Sequence, residues 1–498
     1  MRRMKIHNWL MAACLLAMAA CKPEIPMEAV PGEAEIYPDY RAVTVPVNIA
    51  PLRFKIGDER TEAVAELKIM GGEPEKTGGE RIVAAQRGSF QLSPVDWQAL
   101  TSGAKGGRIG VTVYFRQPGE SWKQMSFPIY VSGDSIDSYL IYRRIFPGYR
   151  MWNEMGIYQR NVENFVEKPV LDNRSTNNSC MNCHSFQAGN GDRMLFHQRG
   201  THDGTYLING RQVERIALER DGKPASFGYP YWHPSGRYVA FSTNETHQDF
   251  HLADRNRIEV YDMESDVLLY DTERHRAFTV PQLASKGSFE TFPSFTPDGR
   301  SLIFCSADSV RMPADYRSVR YHLLQVDFFP ESGEVGSRVD TLFDADKAGG
   351  SARFPRVSPD GRRLLYTVSG YGNFSIWHKD ADLRMLDLRT GETDSLPGVN
   401  SPDVESYHSW SGNSRWFVFS SRRGDGLFTR PYIVHVDERG RCGKPFLLPQ
   451  AEPDYYGRSL FSFNIPELAR TPVAVSREEL VEASRRAETR VVKLAEGD

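Results

Sequence analysis

Cys180, Met181, Asn182, Cys183 and His184 form the run in this 498-residue chain whose residue types and spacing can do specific chemistry. They spell C-x-x-C-H, the spacing of covalent haem attachment. Two thiols so placed reach the two vinyl groups on one edge of a porphyrin and form thioethers. The histidine directly after the second cysteine then lies beneath the iron and ligates it. A disulfide, a redox pair or half a zinc site would use the same cysteines. Zinc would want a second C-x-x-C and a redox pair a βαβ context, and the chain offers neither. The run therefore predicts one haem c, with His184 as the proximal ligand.

A sixth ligand to such an iron is a histidine or a methionine. The near candidates are His197, His202 and Met194, with His197 favoured because it follows an apolar strand and reads as the start of a loop. A more distant residue or an open site is the remaining option. Arg199 is a candidate partner for a haem propionate, since a guanidinium fork suits a carboxylate. His247 and His251 have a zinc-like helical spacing but sit in a segment that reads as lying between strands. His233 and His408 stand at turn entries and read as structural. No G-x-S-x-G elbow, P-loop or dinucleotide fingerprint is present. Asp403 and Glu405 carry no mark of a catalytic pair, and Arg423-Gly424-Asp425 is too short a match to weigh. The residues favour an electron-transfer or binding protein over an enzyme.

The elements that must position this run are read along the chain. Met1 to Lys5 is basic, and Leu10 to Ala20 is a short apolar stretch, which together read as a secretory signal over residues 1–20. Met18-Ala19-Ala20-Cys21 resembles a bacterial lipobox, which implies cleavage before Cys21 and lipid on its thiol. No later stretch is apolar enough to span a membrane. Loss of the signal removes Arg2, Arg3 and Lys5, so 61 basic side chains become 58 against 64 acidic ones, a net charge of −6. No long charge run suggests nucleic acid or an anionic membrane surface as a partner. Cys14 leaves with the signal. Cys305 and Cys442 are free to pair or to stay as buried thiols.

Residues 21–41 are rich in proline and acidic side chains and read as a tether. Residues 42–135 hold short alternating segments at Ala42–Val47, Leu52–Ile56, Ala63–Ile69 and Gly110–Phe115, the pattern of a small β-sandwich. Trp97 and Trp122 read as core or edge aromatics. Residues 136–179 are dense in large apolar rings (Tyr139, Tyr142, Phe146, Tyr149, Trp152, Tyr158 and Phe165) and read as a connector that could wall a porphyrin or pack between domains.

From residue 180 to 470 the chain repeats. Phe292-Pro293-Ser294-Phe295-Thr296-Pro297-Asp298-Gly299-Arg300 is matched by Phe354-Pro355-Arg356-Val357-Ser358-Pro359-Asp360-Gly361-Arg362. A third plain copy runs from Tyr231 to Arg237 and beyond, and a fourth, around Tyr407 to Arg415, is degenerate. The arginines after the turns stand at 237, 300, 362 and 415. Proline, aspartate and glycine in that order make a tight turn between strands. Four strands per unit, recurring every 50–60 residues, make a propeller blade. Cys183-His184-Ser185-Phe186 aligns with Tyr407-His408-Ser409-Trp410, which sets the haem run at the start of a blade. Five units are counted, and the segment Tyr456–Phe463 is expected to supply a closing strand paired with the 136–178 region, which favours six blades over five or seven; Glu478 to Arg490 reads as a helix within a tail over 471–498.

The repeat S-x-D-G-R-x-L-x-F resembles the TolB-type (PD40) six-bladed propeller. With Cys21 and the C-x-x-C-H run, the chain resembles envelope lipoproteins that join such a propeller to one c-type haem. That resemblance implies an all-β fold, a propeller behind a small β-sandwich. It also implies a place in the bacterial envelope, most readily the outer membrane, with the membrane reached through lipid on Cys21 and a redox or other protein partner docked on the propeller. The alternatives are a haem-based enzyme or sensor for peroxide or a gas, with an open distal site, and an interaction scaffold with structural haem.

Overall fold

The computed structural model describes residues 23–71, 79–146, 154–220, 222–225, 227–486 and 488–495. The expected signal and Cys21 lie outside the described residues, as do Tyr149 and Trp152. No described helix is long and apolar enough to cross a membrane. The chain forms two units, Met1–Gly133 with Pro449–Tyr455, and Asp134–Leu448 with Tyr456–Asp498.

The first unit has a six-stranded sheet built on Glu62–Met70, Arg108–Arg116 and Lys123–Val131, and a three-stranded sheet of Ile36–Tyr37, Phe54–Ile56 and Ser89–Phe90. Alternation explains the large sheet, because Ile109, Val111, Val113 and Phe115 all point inward. Phe54 of the small sheet meets Phe127 of the large one at 6.1 Å between centroids. The segment expected over 42–47 is a strand only at Thr44–Val45. A helix at Pro94–Gly103 departs from the all-strand expectation. Ser93 caps it, its Oγ accepting from the Asp96 N–H at 3.0 Å, and Pro94 fits the first turn. Trp97 of that helix is buried and donates to the Ile49 carbonyl at 2.9 Å.

The second unit is a six-bladed β-propeller. Its first blade orders Glu167–Asp172, Met155–Asn161, Tyr139–Ile145 and, innermost, Ser462–Ala469. The segment read as a connector over 136–179 is thus three outer strands of a blade that a strand more than 300 residues away completes. The reason is topological: Tyr139 pairs with Ala469 and Ile145 with Ser462, a non-local antiparallel closure. The inner strands of the other blades are Cys180–Gln187, Gly228–Trp232, Ser288–Phe295, Ser351–Val357 and Glu405–Trp410. The C-terminal helix ends at Arg486 rather than Arg490. Thr489–Ala495 follows as a strand, parallel to both Gln212–Arg220 and Arg276–Phe278, and so joins the outer edges of the second and third blades.

The turns obey the chemistry read from sequence. Asp298 Oδ1 accepts from the Thr296 hydroxyl at 2.6 Å and the Arg300 N–H at 3.1 Å, and Gly299 takes φ +71°. Asn413 replaces the aspartate in the divergent copy, with Ser414 at φ +61° where the others have glycine. Cys305 and Cys442 are both free thiols.

Candidate functional site

Each inner strand carries one extra residue at the same place, and each of those residues is left-handed. They are Ile465, Cys183, Tyr229, Phe292, Phe354 and Tyr407, with φ between +43° and +52°. The strand register slips there in all six blades. Such a bulge turns a side chain out of the ordinary alternation. Four of the six are aromatic and close on one another, Phe292 lying 4.1 Å from Phe354 and 4.2 Å from Tyr229. The ring they form belongs to one apolar cluster shared by neighbouring blades.

Cys183 is the bulged residue of the second blade, so the C-x-x-C-H run lies on the inner strand of a blade rather than in a helical domain. His184 follows at the position that is proline in four of the six blades (Pro230, Pro293, Pro355 and Pro466). Its imidazole is 3% exposed, and neither ring nitrogen makes a hydrogen bond. Burial drives its pKa down to about 4, against a weaker upward pull from the Ile465 and Ile141 carbonyls, so the ring is neutral at pH 7. Cys180 is buried at the start of the strand, where Arg143 Nη2 lies 3.7 Å from its sulphur. The Cys183 thiol is raised by burial.

Cys183 and His184 line a cavity of about 350 Å³ in the central channel. This lies within the range that small-molecule sites occupy. The expected sixth ligands are not there. Antiparallel pairing sets Asn182 opposite His197. His197 and Arg199 instead line a separate cleft between the second and third blades, and His197 Nδ1 lies 3.1 Å from the Thr205 hydroxyl. Met194 packs in a core with Phe186 and Ile208. His202 sits in a turn at φ +57°, and its carbonyl accepts from the Tyr206 hydroxyl at 2.6 Å.

Sequence reasoning missed Arg356 and Glu467. They stand two residues past the bulge in the fifth and first blades and line the same cavity. The only signal was a charged residue after an apolar-proline pair. The remaining candidates are structural. His233 bridges Ser235 and the Gly299 carbonyl, the latter at 3.0 Å. Glu405 accepts from Ser401, Ser421 and Arg423. His247 faces Asp249 at 3.4 Å, and no cluster of metal-ligating side chains exists among the described residues. A buried Ser369, His378 and Glu259 chain has triad-like contacts of 3.2 and 3.0 Å. Ser369 Oγ already accepts from Arg353 and donates to the Tyr371 carbonyl, so it is not a free nucleophile.

The donor set suits a covalently held haem at the level of chemistry. Two unpaired thiols and a neutral imidazole with no hydrogen bond stand on one strand, and two of the three line a cavity.

The fold and site together define a β-propeller with a thiol–imidazole run on an inner strand. No family model matches the chain, and no curated protein matches it. Among solved structures it is similar to a puromycin hydrolase, at 13% identity and a TM-score of 0.36 over 62% of this chain and 45% of that one. Prolyl oligopeptidase B from Galerina marginata is similar at 10% identity and a TM-score of 0.35, over 68% of this chain and 42% of that one. The β-propeller domain of the Trilobed protease from Pyrococcus furiosus is similar at 11% identity and a TM-score of 0.33, over 67% and 80%. The chain spans less than half the length of the first two.

Proposed function

We propose that this chain is a monohaem c-type protein on a propeller scaffold, lipid-anchored through Cys21 in the bacterial envelope, which exchanges electrons with a protein docked on the propeller. One observation carries the reading. The His184 imidazole is buried without a hydrogen bond directly after two free thiols. Cys180 and Cys183 would hold the porphyrin by thioethers and His184 would ligate the iron. When bound, such a group supplies one-electron exchange at a potential set by its axial ligands and surroundings. The protein's part is positional. The bulge at Cys183 turns the second thiol out of the strand's alternation, and burial keeps His184 neutral and water away from it. The anchor and location rest on the residues before and including Cys21.

A second reading has one observation in its favour. His197, His202 and Met194 all lie off the channel, and His408, which lines it, has its Nε2 bonded to the Leu365 carbonyl, an arrangement compatible with an open distal side and hence peroxide or gas chemistry. The test is a pyridine haemochrome spectrum with intact mass on protein made alongside a cytochrome c maturation system. One haem of added mass, lost in Cys180→Ala/Cys183→Ala, supports the proposal, and absence of haem ends it. A low-spin ferric spectrum supports electron transfer, and a high-spin one the open site.

A further inference from the structure

The inner strands bring Arg356, His408 and Glu467 into the channel, Asp137 and Arg470 line the same cavity, and the haem proposal uses none of them. Arg356 and Glu467 are both half-buried and line the cavity of about 350 Å³. Among the described residues Arg356 forms no ion pair. Its Nη1 donates to the neighbouring Pro355 carbonyl at 2.8 Å, and its guanidinium lies 4.7 Å from the centroid of the Tyr231 ring. Glu467 accepts from the Phe186 N–H at 2.9 Å. Burial raises its pKa to about 8, so it carries a proton at pH 7 and can donate. A cation without a counter-anion therefore faces an acid in a space walled by Tyr231, Trp232, Phe354 and Tyr407. An apolar pocket with a few convergent polar groups is the usual form of a small-molecule site.

We propose that the channel cavity receives a carboxylate borne on a flat apolar body, clamped by Arg356 and hydrogen-bonded by Glu467. The planar guanidinium matches a carboxylate through two parallel N–H···O bonds. A protonated Glu467 adds an O–H donor where an ionised one would repel the anion. The aromatic walls take the ligand's flat faces. Two sources share this chemistry, a free aromatic carboxylate and a propionate of a porphyrin held at Cys183. The second rests on the haem reading.

The probe is indole-3-acetate, titrated by calorimetry at pH 7 into protein made without haem maturation. One saturable site is expected. Indole-3-acetamide should bind about tenfold more weakly or worse, and so should indole-3-acetate to Arg356→Gln. Arg356→Lys, which keeps the charge and loses the fork, should weaken binding less and serves if the glutamine variant fails to fold. Glu467→Gln keeps a donor and should retain binding. No saturable binding, equal affinity for acid and amide, or an Arg356→Gln variant of wild-type melting temperature and affinity would each overturn the proposal. Tighter binding by Glu467→Gln would show Glu467 to be the ionised counter-ion of Arg356 and would overturn its donor role. In haem-loaded protein, retained probe binding assigns the site to a free carboxylate. Lost binding, with a midpoint potential moved by Arg356→Gln, assigns it to a propionate. Failure to load haem leaves the haem-free titration to decide this proposal alone.

Discussion

His184 and His408 occupy the same slot in two different blades. Each follows the left-handed residue of its inner strand, and each packs against the preceding blade. His408 Nε2 lies 2.9 Å from the Leu365 carbonyl. The equivalent carbonyl for His184 is that of Ile141, but neither His184 ring nitrogen makes a hydrogen bond. One imidazole bonds the neighbouring blade through Nε2 and leaves Nδ1 unbonded, and the other makes no bond through either nitrogen.

That difference predicts opposite outcomes for the same substitution in haem-free protein. His408→Leu removes a partner of a buried carbonyl and should cost about 1–3 kcal/mol. His184→Leu removes a buried polar group that has no bond to lose and should be near neutral or mildly stabilising. Denaturant midpoints measure both. Equal losses would mean that the two histidines play one structural role.

The bulged ring predicts where the propeller is least tolerant. Phe354 touches Phe292 at 4.1 Å and Tyr407 at 5.1 Å between centroids, so it links three blades through the channel. Phe354→Ala should cost about 3–5 kcal/mol by leaving a cavity that six rigid blades cannot collapse. A loss under about 1 kcal/mol, the scale of an exposed site, would show the ring to be loosely packed.

How much of this was legible follows from what is local. Proline, aspartate, glycine and arginine in the turns announced the blades because each residue acts within four positions of itself. Even the match of Cys183-His184 to Tyr407-His408 could be read in the sequence, and the structure gives both pairs the same bulge. The closing blade was expected only in outline, since nothing local at Tyr139 says that its partner is Ala469. The Pro94–Gly103 helix went unread although Ser93, Pro94 and Asp96 form its start signal, because its apolar positions have little helical period. Nearness in sequence did not report which side chains share the channel with His184. His197 is near His184 in sequence, but antiparallel pairing sets it opposite Asn182, and it opens to another cleft. Arg356 and Glu467 meet only because six strands converge, which no local pattern reports.

The buried pair of Glu259 and His378 gives a third prediction. The two meet at 3.0 Å, and each is 2% exposed. Burial pushes the Glu259 carboxyl up, but bonds from His378, Tyr371 and Asn256 outweigh it and hold its pKa below the ordinary value. A depressed carboxylate adds stability above its unfolded pKa and loses it as pH falls through the folded one. His378→Ala strands a buried carboxylate and should cost about 3–5 kcal/mol at pH 7. The gap between the variant and the wild type should shrink as pH falls from above the ordinary carboxylate range, where the stranded Glu259 of the variant already takes up a proton, to below it, where the wild type does so too. A gap that is constant from pH 7 to 3.5 would argue that packing alone is lost.

Asp262 predicts the opposite slope. It is buried in the third blade, held by Asn244 at 2.9 Å and by Asn373, with Tyr229 and Tyr321 near it. Burial raises its pKa from 3.8 to about 7, and the amide bonds offset only part of that. The unfolded chain releases the proton near 3.8 while the folded one holds it until about pH 7. Stability from this group is therefore complete below the first value and is lost progressively up to the second. About three pH units at roughly 1.4 kcal/mol each gives a loss on the order of 4 kcal/mol by pH 8. Asp262→Asn keeps the shape and does not titrate. Its denaturant midpoint relative to the wild type should therefore rise steadily from pH 4 to pH 7.5 and level off above. Because every other titrating group is common to both proteins, the difference isolates this carboxyl. A flat difference would mean that Asp262 stays ionised inside the propeller, with Asn244 and Asn373 as sufficient solvation.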